Sequence, residues 1–209
     1  MSSPRAVSYL RPAAILFFLL VFSVSSSFAD SNKFGIDISN FGKINDNYYR
    51  GGQPDAEDMI ALKKLGVKTV IDLQKKGKPE EEAWAAKAGL KFFKIPLSST
   101  RRPTTEQTEY FLKLVNDPDN LPVYVHCAAG KHRTGSMTAI YRITHDSWTA
   151  ERAFEEMDDY GYYGFPNHGA HKKHVFEYYD NYLRARNQDR LIPQQPAVSG
   201  APAGMDAVN

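Results

Sequence analysis

The sequence predicts an α/β protein with a mainly parallel central sheet flanked by helices on both faces. Short runs rich in β-branched and aromatic residues alternate along the chain with longer segments whose apolar residues recur at helical spacing. The run at 67–73 is rich in β-branched residues and the run at 121–126 is mostly apolar, which is typical of strands buried on both faces. In such sheets a ligand binds beyond the carboxyl ends of the strands, so we expect the functional site at that edge.

The predicted elements follow one another in that alternating order. Strands are expected at 48–54 with a closing turn, and at 67–73, 91–95 and 121–126, after a leading segment at 34–47 that is either a strand or irregular. Helices are expected at 56–65, 79–88, 104–115, 134–144, 149–160 and 171–186. Asp55, Thr149 and either Thr104 or Thr105 are suited to cap helix N-termini, because their side-chain oxygens can accept hydrogen bonds from the first backbone N–H groups.

The two ends of the chain are predicted to lie outside the folded domain, which spans about 34–186. Arg5 and Arg11 accompany an apolar run at 13–24, and a stretch of small residues ending in Ala29 follows. This pattern predicts a signal peptide at 1–29 and an exported, periplasmic or secreted protein. The alternative is a membrane anchor formed by an uncleaved segment at 13–24. Pro, Gly, Ala and Gln are frequent at 187–209, which predicts a disordered tail.

Composition excludes several classes of function. The chain has 209 residues, which is enough for one domain with its terminal segments. Its net charge of +2 is too small to indicate a nucleic-acid partner. The single cysteine excludes an internal disulfide framework, a thiolate zinc cluster and reductases that relay oxidation through a second cysteine.

The chemistry is expected where the run at 123–126 ends. His126 and Cys127 close that run, five residues follow, and then come Arg133, Thr134 and Gly135. We predict a strand, an anion-binding loop and a helix, because backbone N–H groups of such a loop and the helix N-terminus together bind an oxyanion. Arg133 would add a planar two-pronged donor, and these positive groups favour the Cys127 thiolate. A thiolate beneath a bound phosphate is placed to attack phosphorus.

This His-Cys-x5-Arg-Thr motif resembles the signature of cysteine-dependent phosphatases, and the chain is similar to the dual-specificity branch of the protein tyrosine phosphatase superfamily. The run at 130–135 most resembles the atypical dual-specificity phosphatases of plants and fungi, some of which act on inositol pyrophosphates, and lipid phosphatases carry a similar run. The Tyr-Arg-x-Gly-Gln-Pro run at 49–54 is also similar to the family. The resemblance implies a protein tyrosine phosphatase-like fold, a phosphocysteine intermediate, no cofactor, and a phosphorylated protein or a small polyphosphorylated molecule as substrate.

The resemblance also implies roles for residues of the loop. Arg133 would bind two phosphate oxygens, and the Thr134 hydroxyl would help the thiolate leave when water resolves the intermediate, or would simply cap the helix. The remaining predicted substrate-binding residues of the loop are His126, Ala128, Ala129, Gly130, Lys131, His132 and Gly135. His126 is expected to order the loop by hydrogen bonds. Lys131 and His132 either face the mouth, which would suit a substrate with several phosphates, or extend into solvent.

The general acid is the feature in which the chain departs from the family pattern. Arg101 and Arg102 stand in the loop where the family usually carries an acidic Asp, and both are predicted to bind substrate phosphates. Glu106, one turn into the next helix, is the nearest candidate acid. Asp72 ends a neighbouring strand and is expected to bond backbone instead. Without a positioned acid, rates should depend strongly on the acidity of the leaving group.

Other functions remain open at this point. His168, His171 and His174 have a spacing that could place metal ligands on one helix face, but no acidic or thiol partner accompanies them, so we predict a solvated helix start and no metal site. A phosphate-binding module with little turnover would share the Cys127–Arg133 loop. Sulfur transfer by a rhodanese-like loop is a third function, although those loops usually have four residues between Cys and Arg.

Overall fold

A computed structural model describes residues 35–164 and 169–191. The strands in this part of the chain are β1 Gly42–Asn45, β2 Tyr48–Gly51, β3 Thr69–Gln74, β4 Lys91–Leu97 and β5 Val123–His126. The helices are α1 Ala56–Lys64, α2 Glu81–Lys87, α3 Thr105–Asn116, α4 His132–His145, α5 Ala150–Asp159 and α6 Gly169–Leu191, with a short 3₁₀ turn at Pro118–Asn120. The predicted signal peptide at 1–29 and the tail from 192 onward lie outside the described residues.

The strands form one sheet in the order β1-β2-β5-β3-β4. β2, β5, β3 and β4 are parallel, and only β1 pairs antiparallel with its neighbour. The prediction of a mainly parallel sheet is therefore confirmed. β5 is the central strand and ends at His126, so the candidate nucleophile Cys127 lies at the carboxyl edge of the sheet, where the sequence places it.

The two faces of the sheet are covered by different helices. Along β5, Val123 and Val125 pack into a cluster with residues of α3 and α4, whereas Tyr124 points to the other face and packs with residues of α1 and α2. This alternation follows from the two-residue period of a strand. A third cluster joins α4, α5 and α6. The buried strand residues thus hold β5, and with it the start of the loop, between two packed layers.

Helix caps agree with the sequence, whereas several helix ends differ from the predicted bounds. Asp55 and Thr104 form capping boxes at the starts of α1 and α3, and Thr149 accepts a hydrogen bond from the Arg152 N–H at the start of α5. α4 begins at His132 rather than 134, because the loop passes directly into its first turn. α6 continues to Leu191, five residues beyond the predicted end and into the predicted tail. The first proline after this helix is Pro193, so no helix-breaking residue lies between 186 and 191.

Among the described residues, no helix combines the length and the apolar character that a bilayer span requires.

Candidate active site

Three backbone carbonyls of the loop after β5 are held outward by donors from β2 and from segments near it. The hydrogen bonds run from Gln53 N to the Ala128 carbonyl (3.2 Å), from Asn40 Nδ2 to the Ala129 carbonyl (3.0 Å) and from Arg50 Nη2 to the Gly130 carbonyl (2.5 Å). Because the C=O and N–H of a trans peptide point in opposite directions, these bonds turn the following N–H groups inward. The loop is therefore an anion nest whose shape is fixed from behind.

Gly130 is the residue of the loop that requires glycine. Its φ is +66°, in the left-handed region. A Cβ at this position would lie 2.6 Å from the Gly51 backbone carbon and 2.7 Å from its carbonyl oxygen. Any side chain would therefore push the loop away from β2 and break the Arg50 contact described above.

Arg50 supports the loop from inside the protein. Its side chain is fully buried, and its guanidinium carbon lies 3.8 Å from the centroid of the Tyr160 ring. Burial lowers the pKa of Arg50, while its charge interactions with Tyr160, Glu156, Tyr48 and Cys127 act in the opposite direction. Asn40, the donor to Ala129, also donates to the Tyr160 carbonyl at 3.2 Å. The Tyr160 segment at the end of α5 thus joins both supports.

Cys127 is held as a thiolate more readily than an ordinary cysteine. The residue is 2 % exposed. Burial by itself raises the pKa of the thiol, but the charge of Arg133 and hydrogen bonds from the Thr134 hydroxyl, the Thr134 N–H and the Ala129 N–H lower it more, so the pKa lies below its usual value. The Thr134 oxygen is buried, and its interaction with the sulfur does not reach full hydrogen-bond geometry. Thr134 therefore lies beside the sulfur, where the sequence predicted a role in releasing it.

His126 is buried beneath the loop and has a carboxylate partner. Its Nε2 lies 2.7 Å from Oε1 of Glu81, at the start of α2, and both side chains are at most 1 % exposed. Asp72, paired with His126 in the register of β3 and β5, is close by. Its Oδ1 accepts from the Gln74 N–H at 2.8 Å, as predicted, and its Oδ2 lies 3.0 Å from Lys94 Nζ. His126 is thus positioned as an internal residue and not as a group at the mouth.

Comparison with known proteins identifies the family. The family described as "DSP-PTPase phosphatase fused to NAD+ Kinase" matches residues 33–172, which is more than half of the chain. The chain belongs to the dual-specificity phosphatases of the protein tyrosine phosphatase superfamily. Membership agrees with the site already described, because the Cys127 loop carries the signature of that superfamily on the carboxyl edge of a mainly parallel sheet.

Individual relatives of this dual-specificity phosphatase chain differ in what they are named for. The dual specificity protein phosphatase TpbA of Pseudomonas aeruginosa is 30 % identical over 123 residues, covering 59 % of this chain and 55 % of TpbA. The inositol diphosphatase SIW14 of Saccharomyces cerevisiae is 28 % identical over 172 residues, covering 78 % of this chain and 60 % of SIW14. The matched region is thus little more than half of each relative.

Solved structures share the fold. The core catalytic domain of the PP-IP phosphatase SIW14 superposes with a TM-score of 0.60 at 25 % identity, covering 76 % of this chain and 97 % of that domain. TpbA superposes with a TM-score of 0.60 at 27 % identity, covering 71 % of this chain and 90 % of the other. These likenesses confirm the predicted protein tyrosine phosphatase-like α/β fold.

Besides His126, two more residues predicted to bind substrate have structural contacts inside the protein. His132 is buried, its Nε2 lies 2.9 Å from the Tyr163 carbonyl, and its ring packs against Tyr162 and Tyr163. Gly135 is buried in α4, where a Cβ would lie 3.3 Å from Met157, so it allows α4 and α5 to approach. The sequence missed both contacts because the partners are 22 or more residues away along the chain.

Four other loop residues lie at the surface of the site. Ala128 and Ala129 are exposed, while Lys131 and Arg133 are partly exposed. The end of the Lys131 side chain lies beside Gly161, at 3.4 Å from the position that a Cβ there would occupy. The positive charge of Lys131 therefore lies next to the loop, as predicted for one reading of this residue, whereas the His132 side chain points into the protein.

The arginine-containing loop at 98–103 is an exposed turn. The Ser98 hydroxyl accepts hydrogen bonds from the N–H groups of Thr100 and Arg101, each at 3.2 Å. The sequence predicts that Arg102 binds substrate phosphates. In the structure Arg102 forms an ion pair with Glu177 of α6, which neutralises its charge. Arg101 is exposed. Substrate binding by Arg101 stays a prediction.

Glu106 lacks the raised pKa that suits a general acid, so its predicted catalytic role gains no support from its surroundings. It is exposed at the first turn of α3, and hydrogen bonds from Thr104 and from its own backbone N–H lower its pKa. A group that gives up a proton near neutral pH needs a raised pKa instead. The loop at 98–103 offers no carboxylate in its place.

The histidines at the start of α6 are buried, contrary to the predicted solvated helix start. His171 lies between the Ser136 hydroxyl and the Ser99 carbonyl, each at 3.2 Å, and His174 lies 3.3 Å from the Thr108 hydroxyl. His168 lies outside the described residues. His171 therefore joins α4 and the 98–103 loop to α6.

Sequence reasoning missed Asn40, Gln53 and Glu81 as parts of the site. Asn40 has a φ of +54°, which asparagine tolerates better than most residues, but the sequence around it does not reveal that conformation. Gln53 belongs to the family-like run at 49–54, which was the one available signal. Glu81 is one of several glutamates at the start of a helix, where acidic residues are common.

Proposed function

We propose that this chain is a phosphatase that works through a phosphocysteine. The Cys127 sulfur attacks the phosphorus of a phosphate held by the loop N–H groups and Arg133, a sulfur–phosphorus bond forms, and the bond from phosphorus to the leaving oxygen breaks with its electron pair on that oxygen. Water then attacks the phosphocysteine, and the Thr134 hydroxyl hydrogen-bonds the departing thiolate. The observation that carries this proposal is the tethering of three loop carbonyls around a thiol whose pKa is lowered.

Turnover fits this geometry better than binding alone or sulfur transfer. A module that only recognises phosphate needs the nest and Arg133, but it has no use for a buried thiolate stabilised by Thr134. The five residues between Cys127 and Arg133 match the phosphatase loop and exceed the usual four of rhodaneses.

The substrate class that fits the site best carries a good leaving group. Ionised Glu106 and the carboxylate-free loop at 98–103 leave the departing oxygen without an evident proton donor. A phosphoanhydride leaves as a stabilised anion and needs a proton less than an alkyl alcohol does. Lys131 and Arg101 add positive charge for further phosphates. We therefore propose phosphoanhydrides of small polyphosphorylated molecules, supported by relatives named inositol diphosphatases, including SIW14 and DSP3 of Arabidopsis thaliana.

Phosphotyrosine proteins are the second candidate substrate. TpbA, a relative named as a dual specificity protein phosphatase, has been solved in complex with pTyr. Tyrosine has an ordinary pKa of about 10, so its phenolate leaves more easily than an alkoxide.

A leaving-group series tests the substrate proposal. Rates on aryl phosphates should rise steeply with leaving-group acidity, inositol diphosphates should exceed alkyl phosphates, and Glu106→Gln should change kcat by less than about threefold. A positioned acid contributes roughly 10²–10⁴-fold. A shallow series together with a loss of that size in Glu106→Gln would place the acid on Glu106 and overturn the anhydride preference.

We also propose that the protein is exported, on the basis of the charged, apolar and small-residue regions of 1–29. Mass spectrometry of the protein from its native cells should find a mature N-terminus near Asp30. An intact Met1 segment in the membrane fraction would instead support an anchor at 13–24.

A further inference from the structure

The side chain of Arg50 carries polar atoms that its contact with the nucleophile loop leaves unpartnered. Nη2 donates to the Gly130 carbonyl, but Nε and Nη1 are buried and have no hydrogen-bond partner among the residues described. The whole side chain is fully buried. A buried charge with unsatisfied donors is costly unless another group compensates for it, so the remaining neighbours of this guanidinium indicate what keeps it in place.

The ring of Tyr160 covers the Arg50 guanidinium. The guanidinium carbon lies 3.8 Å from the ring centroid, and Tyr160 is 9 % exposed. A cation over the face of an aromatic ring is attracted by the ring quadrupole, and the attraction is strongest where both groups are removed from water. Glu156 also interacts with the charge of Arg50, but its carboxylate is paired with Arg142 at 2.6 Å. The Tyr160 ring therefore offsets the cost of this buried charge by direct contact.

Tyr160 is itself held in place by both its side chain and its backbone. A Cβ on Gly42 of β1 would lie 2.0 Å from Tyr160 Oη and 2.8 Å from Cζ, so the ring packs against bare backbone at this position. The Tyr160 carbonyl accepts a hydrogen bond from Asn40 Nδ2 at 3.2 Å. The ring is thus fixed between β1 and the buried guanidinium.

The segment 160–163 contacts the nucleophile loop or its supports along successive loop positions. Asn40 joins the Tyr160 carbonyl to the first position, and Arg50 joins the Tyr160 ring to the second. The third position lies against Gly161, and the ring of the fourth packs against Tyr163. These positions are Ala129, Gly130, Lys131 and His132. Only the link through Arg50 uses the Tyr160 side chain, so a substitution of Tyr160 can remove that link alone.

We propose that Tyr160 is a positioning residue whose ring holds Arg50 at the Gly130 carbonyl and thereby keeps the next N–H of the loop turned towards the bound oxyanion. The inference rests on the proposed phosphatase function, since it assigns Tyr160 to the same site. Tyr160 acts through the face of its ring, so phenylalanine should largely replace it, whereas an aliphatic side chain should not.

Three substitutions separate the ring from the rest of the side chain. Tyr160→Leu removes the ring and Tyr160→Phe keeps it. Trp148→Leu is the control, because Trp148 covers the Arg142 guanidinium at 4.3 Å but lies beyond the far end of α4 from the loop. On p-nitrophenyl phosphate we expect Tyr160→Leu to lower kcat/KM by about 5–30-fold, and the other two to stay within about threefold of the wild type. Equal kcat/KM values for Tyr160→Leu and Tyr160→Phe would overturn the proposal.

A fluorinated series separates the charge distribution of the ring from its bulk. Phenylalanine analogues with increasing numbers of ring fluorines at position 160 keep the shape of the ring but withdraw electron density from its face, which weakens its attraction for a cation. We expect kcat/KM to fall stepwise, by about fivefold or more between the unfluorinated and the trifluorinated ring. Because each analogue fills the same space, the series remains decisive if thermal unfolding shows that Tyr160→Leu does not fold. A constant kcat/KM across the series would overturn the proposal.

Alkylation of Cys127 gives a readout that does not need turnover. Because the chain has one cysteine, the pH dependence of its reaction with iodoacetamide reports the thiolate at Cys127 alone. The charge of Arg50 interacts with Cys127, so loosening the guanidinium should raise the midpoint. We expect a rise of about half a pH unit in Tyr160→Leu and no change in Trp148→Leu. If no phosphatase substrate were found, this measurement would still test the role of Tyr160, and a wild-type midpoint in Tyr160→Leu would contradict it.

A double variant tests whether Tyr160 acts through Arg50. In an Arg50→Met background the ring has no cation to hold, so adding Tyr160→Leu should change kcat/KM by less than about twofold and leave the alkylation midpoint where it is. Losses that multiply in the double variant would overturn the proposal, because they would show that Tyr160 acts independently of Arg50.

Discussion

The nucleophile loop and the loop at 98–103 lie on the same edge of the sheet and are held in opposite ways. The nucleophile loop is fixed from behind by Gln53, Asn40 and Arg50, which bond three successive carbonyls. The 98–103 loop is exposed and is held to α6 by the Arg102–Glu177 ion pair and the His171 contact to Ser99. The backbone of the nucleophile loop is thus bonded to the interior of the protein, whereas the 98–103 loop lies on its surface.

This difference separates two parts of the chemistry. Stabilising a thiolate and an oxyanion requires N–H groups fixed before the substrate arrives, because that preorganisation is what makes them effective. Selecting the leaving group and the rest of the substrate depends on side chains at the surface, where substitution is tolerated. The family signature therefore lies in the first loop, and the departure from the family pattern lies in the second.

The largest effect should come from the centre of the nucleophile loop. Cys127→Ser should lower kcat on p-nitrophenyl phosphate by at least roughly 10⁴-fold, because the serine hydroxyl stays protonated and is a poor nucleophile. Phosphate or vanadate affinity should persist, because the nest and Arg133 are unchanged; calorimetric titration measures this. Turnover comparable to the wild type would contradict the nucleophile assignment.

A smaller effect should come from the buried support of that loop. Arg50→Met removes the donor to the Gly130 carbonyl and a buried charge near Cys127. A hydrogen bond from a charged group is worth about 1.5–3 kcal/mol, so kcat/KM on p-nitrophenyl phosphate should fall by roughly 10–100-fold. Steady-state kinetics on the folded variant measures this loss.

Arg102→Met is the matched change in the surface loop. Its partner Glu177 and its own side chain are about half exposed, and such pairs contribute about 0–1 kcal/mol. We expect less than about fivefold change on the same substrate. If Arg102→Met were as damaging as Arg50→Met, the contrast between a fixed loop and a surface loop would be wrong.

The last prediction concerns the stability of the fold, and not the rate, at the anchor of the surface loop. Burial lowers the pKa values of His171 and His174 from 6.5 to about 4. Between pH 4 and pH 6.5 the unfolded chain therefore binds more protons than the folded protein does. The contribution of the two neutral histidines to the free energy of unfolding is complete above about pH 6.5 and is lost as the pH falls towards 4. Each contributes at most about 3 kcal/mol by the size of the shift.

Urea unfolding at pH 7 and pH 4.5 checks this sign. The loss of unfolding free energy on acidification should be smaller in His171→Gln and His174→Gln than in the wild type, because the glutamine side chain does not titrate. If both variants lost as much unfolding free energy on acidification as the wild type does, the two histidines would titrate normally in the folded protein.

Much of the fold and the centre of the site followed from local patterns. Strand periodicity, the caps at Asp55, Thr104 and Thr149, and the Cys127–Arg133 spacing are all properties of neighbouring residues. What the sequence did not show depends on distant contacts: Asn40 reaches Ala129 across 89 positions, and His132 turns to Tyr163 across 31. Likewise, the sequence predicts that Arg102 contacts substrate, because its ion-pair partner Glu177 lies in the distant helix α6.

The most direct test of the account is to trap the covalent intermediate. Protein turning over p-nitrophenyl phosphate is quenched in acid, digested and examined by mass spectrometry. We expect the mass of one phosphoryl group on the peptide that contains Cys127, and no such peptide from Cys127→Ser. A phosphoryl group on another residue would contradict the phosphocysteine mechanism. So would the absence of any phosphoryl group during steady turnover, if hydrolysis of the intermediate is the rate-limiting step of the wild type.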